Sequence, residues 1–273
     1  MLHLLQNCSC YNKPMEAKYI VDTHSHIDMI EDISIEEILN NAEENSVKKI
    51  IIPSADVKSF DRIIELANKY EQVYCMLGVF PEEAKTWDDS ILDLIKEKVS
   101  QNKKIIGIGE IGLDYYWDKT FIDLQKDIFI KQIKLANELN LPINVHDREA
   151  HKDTFDIIKE YNDQNKSKVI LHCFSGSLEF ANECIKEGWF ISLGGVVTFK
   201  NAKKMKEVAQ NIDENFLLLE TDAPYLTPHP YRGTTNQPAY TKLVAEEIAR
   251  LRETSTEHIM EVTTNNAYKV FKF

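Results

Sequence analysis

Eight short runs rich in β-branched and aromatic residues recur along the chain, and their spacing restricts the fold more than any other feature. They cover residues 19–21, 49–54, 74–80, 104–113, 142–146, 168–174, 189–197 and 216–222. Their centres lie about 20 to 40 residues apart, the length of one strand plus one crossover helix. Amphipathic stretches with apolar residues at three- and four-residue spacing fill several of the gaps, at 33–45, 60–70, 89–99, 121–140 and 201–210. Most runs are continuously apolar, the pattern of strands buried on both faces of a parallel sheet. An α/β fold follows, a closed (β/α)8 TIM barrel. A doubly wound open sheet is the alternative, but no Gly-x-Gly-x-x-Gly opens the first helix to mark a dinucleotide fold. Gly107, Gly109 and Gly112, within and just after the fourth run, mark close backbone approach.

A chain of 273 residues exceeds the usual domain size, yet barrels of about 250 residues are routinely one domain. No Pro/Ser-rich linker divides this one, so 15–273 reads as a single domain. Residues 1–14, MLHLLQNCSCYNKP, lack the basic start and small-residue cleavage site of a secretory signal. Met15 stands close before the first run and is an alternative start, which makes 1–14 a dispensable extension. The five cysteines, Cys8, Cys10, Cys75, Cys173 and Cys184, are odd in number and mostly within core elements. A reducing cytoplasm therefore fits better than a disulfide framework. Cys8-x-Cys10 has no second pair with which to hold a structural metal. No apolar run approaches the roughly 20 residues that span a membrane.

The net charge of −12 weighs against generic nucleic-acid binding. It is compatible with a phosphodiester held through bound divalent cations, whose carboxylate ligands add to the acidic count. Lys200, Lys203, Lys204 and Lys206 read as a solvated helix face.

The stretch VDTHSHID, 21–28, places His24 and His26 one residue apart. On a strand both would face one way and could grip an ion; on a polar turn they would be two ordinary histidines. The other runs decide between these. Every run that carries a metal-capable residue carries it at its C-terminal end: His24 and His26 after the first, Glu110 late in the fourth, His146 closing the fifth, His172 late in the sixth, Asp222 closing the eighth. Those ends meet at one face of a barrel, where active sites of this fold lie. Four imidazoles and two carboxylates suit two divalent ions, with magnesium, manganese and zinc as the candidates. Glu110 can give one oxygen to each ion, and Asp222 can both ligate and accept a proton from an attacking water. The chemistry inferred is hydrolysis by in-line displacement.

HSHID, GEIGLDYYWD, PINVHDREAHKDT, HCFSG and ETDAPYLTPHPYRGTTNQP, in this order from about Tyr19 to the C-terminus, closely resemble the TatD family of metal-dependent deoxyribonucleases among the amidohydrolase-like barrels. The resemblance implies a (β/α)8 hydrolase with one or two divalent metals that cleaves DNA phosphodiesters, in several members as a 3′ to 5′ exonuclease. A single-stranded or end-bearing DNA substrate follows, with no obligate protein partner and no membrane. It implies His24 and His26 as ligands, Glu110 as the bridge, His146 and His172 on the second ion, and Asp222 as ligand and general base. Related amidohydrolases often bridge with a modified lysine where Glu110 stands, which favours the nuclease branch.

One departure concerns the Gly-x-His-Pro motif often found after strand three. This chain reads GVFP, with Phe80 in the histidine's place, and phenylalanine neither ligates a metal nor donates a hydrogen bond. Substrate affinity or range is expected to differ accordingly. Arg232 and Arg148 could each hold a phosphate oxygen or simply order a loop through an ion pair. His229 either lines the pocket or packs in its loop, and His151 reads as a surface residue one turn into a helix. Tyr115, Tyr116 and Trp117 either stack on bases or cap the core. A metal-dependent amide or ester hydrolase acting on a small molecule or an aminoacyl-tRNA is the competing enzyme. A non-catalytic scaffold is opposed by the intact set of six ligands.

Overall fold

The computed structural model describes residues 19–162 and 166–273; Cys8-x-Cys10 and the Met15 start lie outside them. Eight parallel strands form one sheet in sequence order: β1 (Ile20–Asp22), β2 (Val47–Pro53), β3 (Val73–Leu77), β4 (Ile105–Asp114), β5 (Ile143–Arg148), β6 (Val169–Leu171), β7 (Phe190–Leu193) and β8 (Leu217–Leu219). The helices are α1 (Ile35–Glu44), α2 (Phe60–Lys69), α3 (Ser90–Gln101), α4 (Ile122–Leu139), α5 (His151–Tyr161), α6 (Leu178–Lys186), α7 (Lys203–Asn211), α8 (Thr241–Leu251) and α9 (Thr256–Val270). The sheet curls until β8 meets β1, so the architecture is the (β/α)8 barrel.

Continuous apolar runs serve two cores through the two-residue alternation of strand side chains. Ile50 and Ile52, Cys75 and Leu77, Val169 and Leu171, and Leu217 and Leu219 join the large cluster packed with the helices. Their intervening neighbours Ile51, Met76, Ile170 and Leu218 join Val21, Ile106 and Phe190 in a second cluster inside the barrel. Ala267, Val270 and Phe271 at the end of the chain close that inner cluster from below.

Several expected boundaries shift. The runs at 74–80, 168–174, 189–197 and 216–222 keep only their first part as strand, because the chain leaves the sheet to build the top loops. Helices α6, α8 and α9 were not anticipated. The face that α9 buries is partly polar: Thr264 Oγ1 donates to Tyr19 O (2.6 Å), and Asn266 Nδ2 donates to Leu217 O (2.8 Å) and Glu214 O. Hydrogen bonds to the barrel replace an apolar stripe there, so periodicity has little to detect.

Gly112 shows what the close approach around β4 demands. Its φ is +141°, and a Cβ built on it would stand 2.0 Å from the carbonyl oxygen of His146. We expect Gly112→Ala to push β5 away from β4 and lower stability by about 3 kcal/mol, measured as the urea midpoint of the metal-free protein. An unchanged midpoint would contradict this packing.

Candidate metal centre

The top of the barrel is assembled at its seam. Thr23 N donates to Leu219 O (3.0 Å), Asp222 N to His24 O (2.9 Å) and His26 N to Ala223 O (2.7 Å), while Ser25 N donates to Ile51 O on the other side. The backbone bonds that join β1 to β8 thus also hold His24, His26 and Asp222. Below them the buried Asp22 carboxyl accepts from Thr221 N (3.0 Å) and Thr221 Oγ1 (2.6 Å). Burial, only partly offset by the Thr221 hydroxyl, pushes Asp22 up to about 8. Asp222 itself has φ +55°, a left-handed conformation that a short polar side chain tolerates better than most.

Six side chains converge in overlapping clusters. His24 Nε2 and His26 Nε2 are 3.0 Å apart, and each lies 3.5 Å from Glu110 Oε2. Asp222 Oδ1 lies 3.7 Å from His24 Nε2 and 3.9 Å from His26 Nε2, and it forms a group of its own with His24 and His172. The other Glu110 oxygen, Oε1, lies 3.0 Å from His146 Nδ1 and 2.8 Å from His172 Nε2, which are 3.4 Å from each other. The His24 and His172 rings stack at 3.8 Å between the groups.

This donor set fits divalent ions. Ligand atoms about 2.1 Å from one ion are themselves about 3 to 3.5 Å apart, the spacing found here. Nitrogen and carboxylate donors alternate around two points, and Glu110 offers a separate oxygen to each. The barrel top is a site for two divalent ions.

Neighbouring groups set the tautomers. His24 Nδ1–H donates to Asn144 Oδ1 (2.9 Å), which turns the Nε2 lone pair toward Glu110 and Asp222. His146 Nε2–H donates to Asp114 Oδ2 (2.9 Å), which directs Nδ1 inward. Asp114 is in turn clamped by Gln125, which accepts from its N–H and donates to its carbonyl, both at 3.0 Å. Buried Glu220 places Oε1 3.7 Å from His172 Nδ1 without a hydrogen bond, and accepts instead from Cys173 N (2.5 Å). Gly109 admits this second layer, since a Cβ there would sit 2.8 Å from the Asn144 Cβ.

Electrostatics concentrate on Glu110. Burial alone would raise its carboxyl, but His172 and His24 pull it well below the ordinary carboxylate range. Burial lowers His24, reinforced by His172. His172 is instead held well above the imidazole norm, because Glu110 outweighs its desolvation. Burial lifts Asp222, with His24 opposing.

The remaining candidates disperse. Arg148, at the end of β5, lies over the Tyr116 ring at 3.8 Å. Arg232 is exposed and makes no ion pair among the described residues; it donates to Thr227 O (2.9 Å) and covers Phe199 at 4.0 Å. That contact is to a carbonyl, where the sequence suggested either a loop-ordering ion pair or a phosphate contact. His229 is exposed on the loop after β8, its backbone N–H donating to Thr198 Oγ1 (2.8 Å). His151 is the first residue of α5 rather than one turn in, and Nδ1 bonds Asp147 Oδ2 (2.7 Å). Phe80 packs edge-on against His146 at 4.7 Å. Tyr115 is partly buried and donates to Asp153, whereas Tyr116 and Trp117 are exposed. Lys203 and Lys204 are solvated as expected, and Lys206 pairs with Glu247 (3.3 Å).

Asp114, Asn144 and Glu220 escaped sequence reasoning. A usable signal existed for Asn144, two residues before His146 on β5 and so on the same strand face; Asp114 and Glu220 lie only near metal candidates in sequence. We expect Asp114→Asn to weaken metal affinity about 10- to 100-fold, measured by competition with a chelator. Unchanged affinity would mean that His146 needs no such support.

Residues 21–272 match the family model described as TatD related DNase. The chain is 44% identical to an uncharacterized metal-dependent hydrolase, YabD, of Bacillus subtilis, over 93% of this chain and 99% of that one. It is 33% identical to the uncharacterized metal-dependent hydrolase YcfH of Escherichia coli, over 93% and 96%. Among solved structures, the TatD homolog YJJV of Escherichia coli superposes with a TM-score of 0.87 at 31% identity, covering 94% of this chain and 99% of that one.

Proposed function

Because the chain belongs to the TatD family of metal-dependent hydrolases, we propose that it cleaves DNA phosphodiester bonds, acting from the 3′ end of single-stranded or end-bearing DNA. One observation carries this reading. Of the seven large apolar side chains exposed among the described residues, Met29, Tyr116, Trp117, Tyr225 and Tyr231 all stand on loops that follow strands β1, β4 and β8. Loops that follow strands lie at the end of a barrel that carries its active site, and Trp117 there is 61% exposed. A small-molecule esterase encloses its substrate, whereas exposed rings at that end, Trp117 and Tyr225 above all, suit a polymer of stacking bases.

In this reading His24, His26, Glu110, His146, His172 and Asp222 would hold the two ions, with Glu110 common to both groups of histidines. When bound, the ion pair makes a water nucleophilic near neutral pH and neutralises charge on the phosphate. Asp222 Oδ1 faces the histidines, and no protein donor among the described residues bonds its carboxylate, so Oδ2 takes the proton from the attacking water. Asn144 and Asp114 keep the imidazole lone pairs aimed inward throughout. Free thiols at Cys75, Cys173 and Cys184 accord with a reducing cytoplasm, and no helix described is long and apolar enough to cross a membrane.

The test is digestion of end-labelled single-stranded DNA with magnesium or manganese. Stepwise shortening from the 3′ end by the native protein, absent in Glu110→Ala and Asp222→Ala, is the expected result. A folded, metal-loaded protein that leaves DNA intact but hydrolyses small esters or aminoacyl-tRNA would replace this reading.

A further inference from the structure

Arg148 has the setting of a recognition residue without a partner of its own. It closes β5 two residues beyond His146 and therefore leaves the strand on the same face as that histidine. Its backbone is fixed by pairing with Asp114, and its carbonyl accepts from Tyr115 N (2.9 Å). Its guanidinium lies 3.8 Å over the Tyr116 ring and 5.4 Å from that of Trp117, and these two rings meet edge to face at 4.8 Å. Among the described residues the contacts found for the guanidinium are these two rings, with no hydrogen bond or ion pair. Its planar fork of donors is thus pre-oriented by stacking and left available.

This platform is tied to the metal centre through one side chain. Asp114 Oδ2 accepts from His146, while Asp114 Oδ1 accepts from Tyr116 N (2.8 Å) and Trp117 N (3.4 Å). The carboxylate that orients a metal-facing histidine therefore also shapes the turn that presents the two rings.

Resting on the reading of a nucleic-acid substrate, we propose that Arg148, Tyr116 and Trp117 form a subsite for the nucleotide next to the one being cleaved. Arg148 takes that nucleotide's phosphate bidentately, and the exposed Trp117 face takes its base. Trp117 is 61% exposed and meets Tyr116 edge to face, with Arg148 over its ring at 5.4 Å, so it leaves apolar surface on which a base can lie. The substrate class selected is an oligonucleotide of two or more residues with an intact base beside the scissile bond.

The test is equilibrium binding of thymidine trinucleotide to the full chain carrying Asp222→Asn to suppress turnover, followed by tryptophan fluorescence. Trp117→Phe identifies the reporter among the three tryptophans. Expected are quenching from Trp117, affinity weakened about 5- to 150-fold by Trp117→Ala or by an abasic trinucleotide, and a comparable loss in Arg148→Ala that Arg148→Lys restores only in part. Equal binding of abasic and normal trinucleotides, or undiminished affinity in a folded Arg148→Ala protein, would overturn the subsite. Tight Arg148-dependent binding by a native protein that cleaves no DNA would keep the subsite and discard the cleavage reading.

Discussion

Replacing Glu110 with glutamine is expected to abolish hydrolysis and halve the metal content. The side chain stands at the junction of both clusters, with Oε2 3.5 Å from His24 and His26 and Oε1 2.8 Å from His172. An amide keeps the shape but provides one oxygen, so one cluster would face an NH2 group that repels a cation. The missing negative charge also unbalances three buried histidines and the partly buried His146, which Glu110 now opposes from 4% exposure. Losing Lewis-acid assistance of several kcal/mol corresponds to a rate about 10³-fold lower or less. Elemental analysis of purified protein, read beside the rate of phosphodiester hydrolysis, checks both halves. A Glu110→Gln protein with two ions and native activity would remove Glu110 from the bridging position.

Asp222→Asn is expected to separate binding from chemistry. Its Oδ1 sits at the edge of the His24 and His26 group, 3.7 and 3.9 Å away, farther than the Glu110 oxygens are from His146 and His172. An asparagine can still present a carbonyl oxygen to that ion, but it accepts no proton from water. Removing a general base costs about 10²- to 10⁴-fold, and we expect a loss of that size in kcat with metal content largely kept. Raising the pH should recover part of the activity, since hydroxide then needs no protein base. A variant whose metal and activity fall in parallel would make Asp222 a ligand without a proton-transfer role.

Much of this was legible in the chain itself, for identifiable reasons. Eight apolar runs at strand-plus-helix intervals leave little choice but a parallel barrel, because both strand faces must be buried. A barrel in turn gathers its strand ends at one face, so His24, His26, Glu110, His146, His172 and Asp222 were visible as a group before any coordinates. Strand ends were less legible. The run 189–197 stays apolar beyond Leu193, but Gly195 approaches Leu226 O so closely that a Cβ would stand 2.1 Å from it, and the chain must turn there. Helix α9 was hidden because Thr264 and Asn266 spend their buried face on backbone carbonyls at or just before the starts of β1 and β8.

Residue identity and spacing determined which side chains could bind metal and which end of the sheet would carry them, since a strand's two-residue period is a local property. How those side chains are aimed was decided only by tertiary structure. Asn144 orients His24 from 120 residues away and Asp114 orients His146 from 32, while the β1–β8 seam joins Asp22 to Thr221 across 199 residues. Arg232 and His229 turn outward while Arg148 comes to rest on Tyr116, a sorting that no local pattern encodes because it follows from which loops pack together.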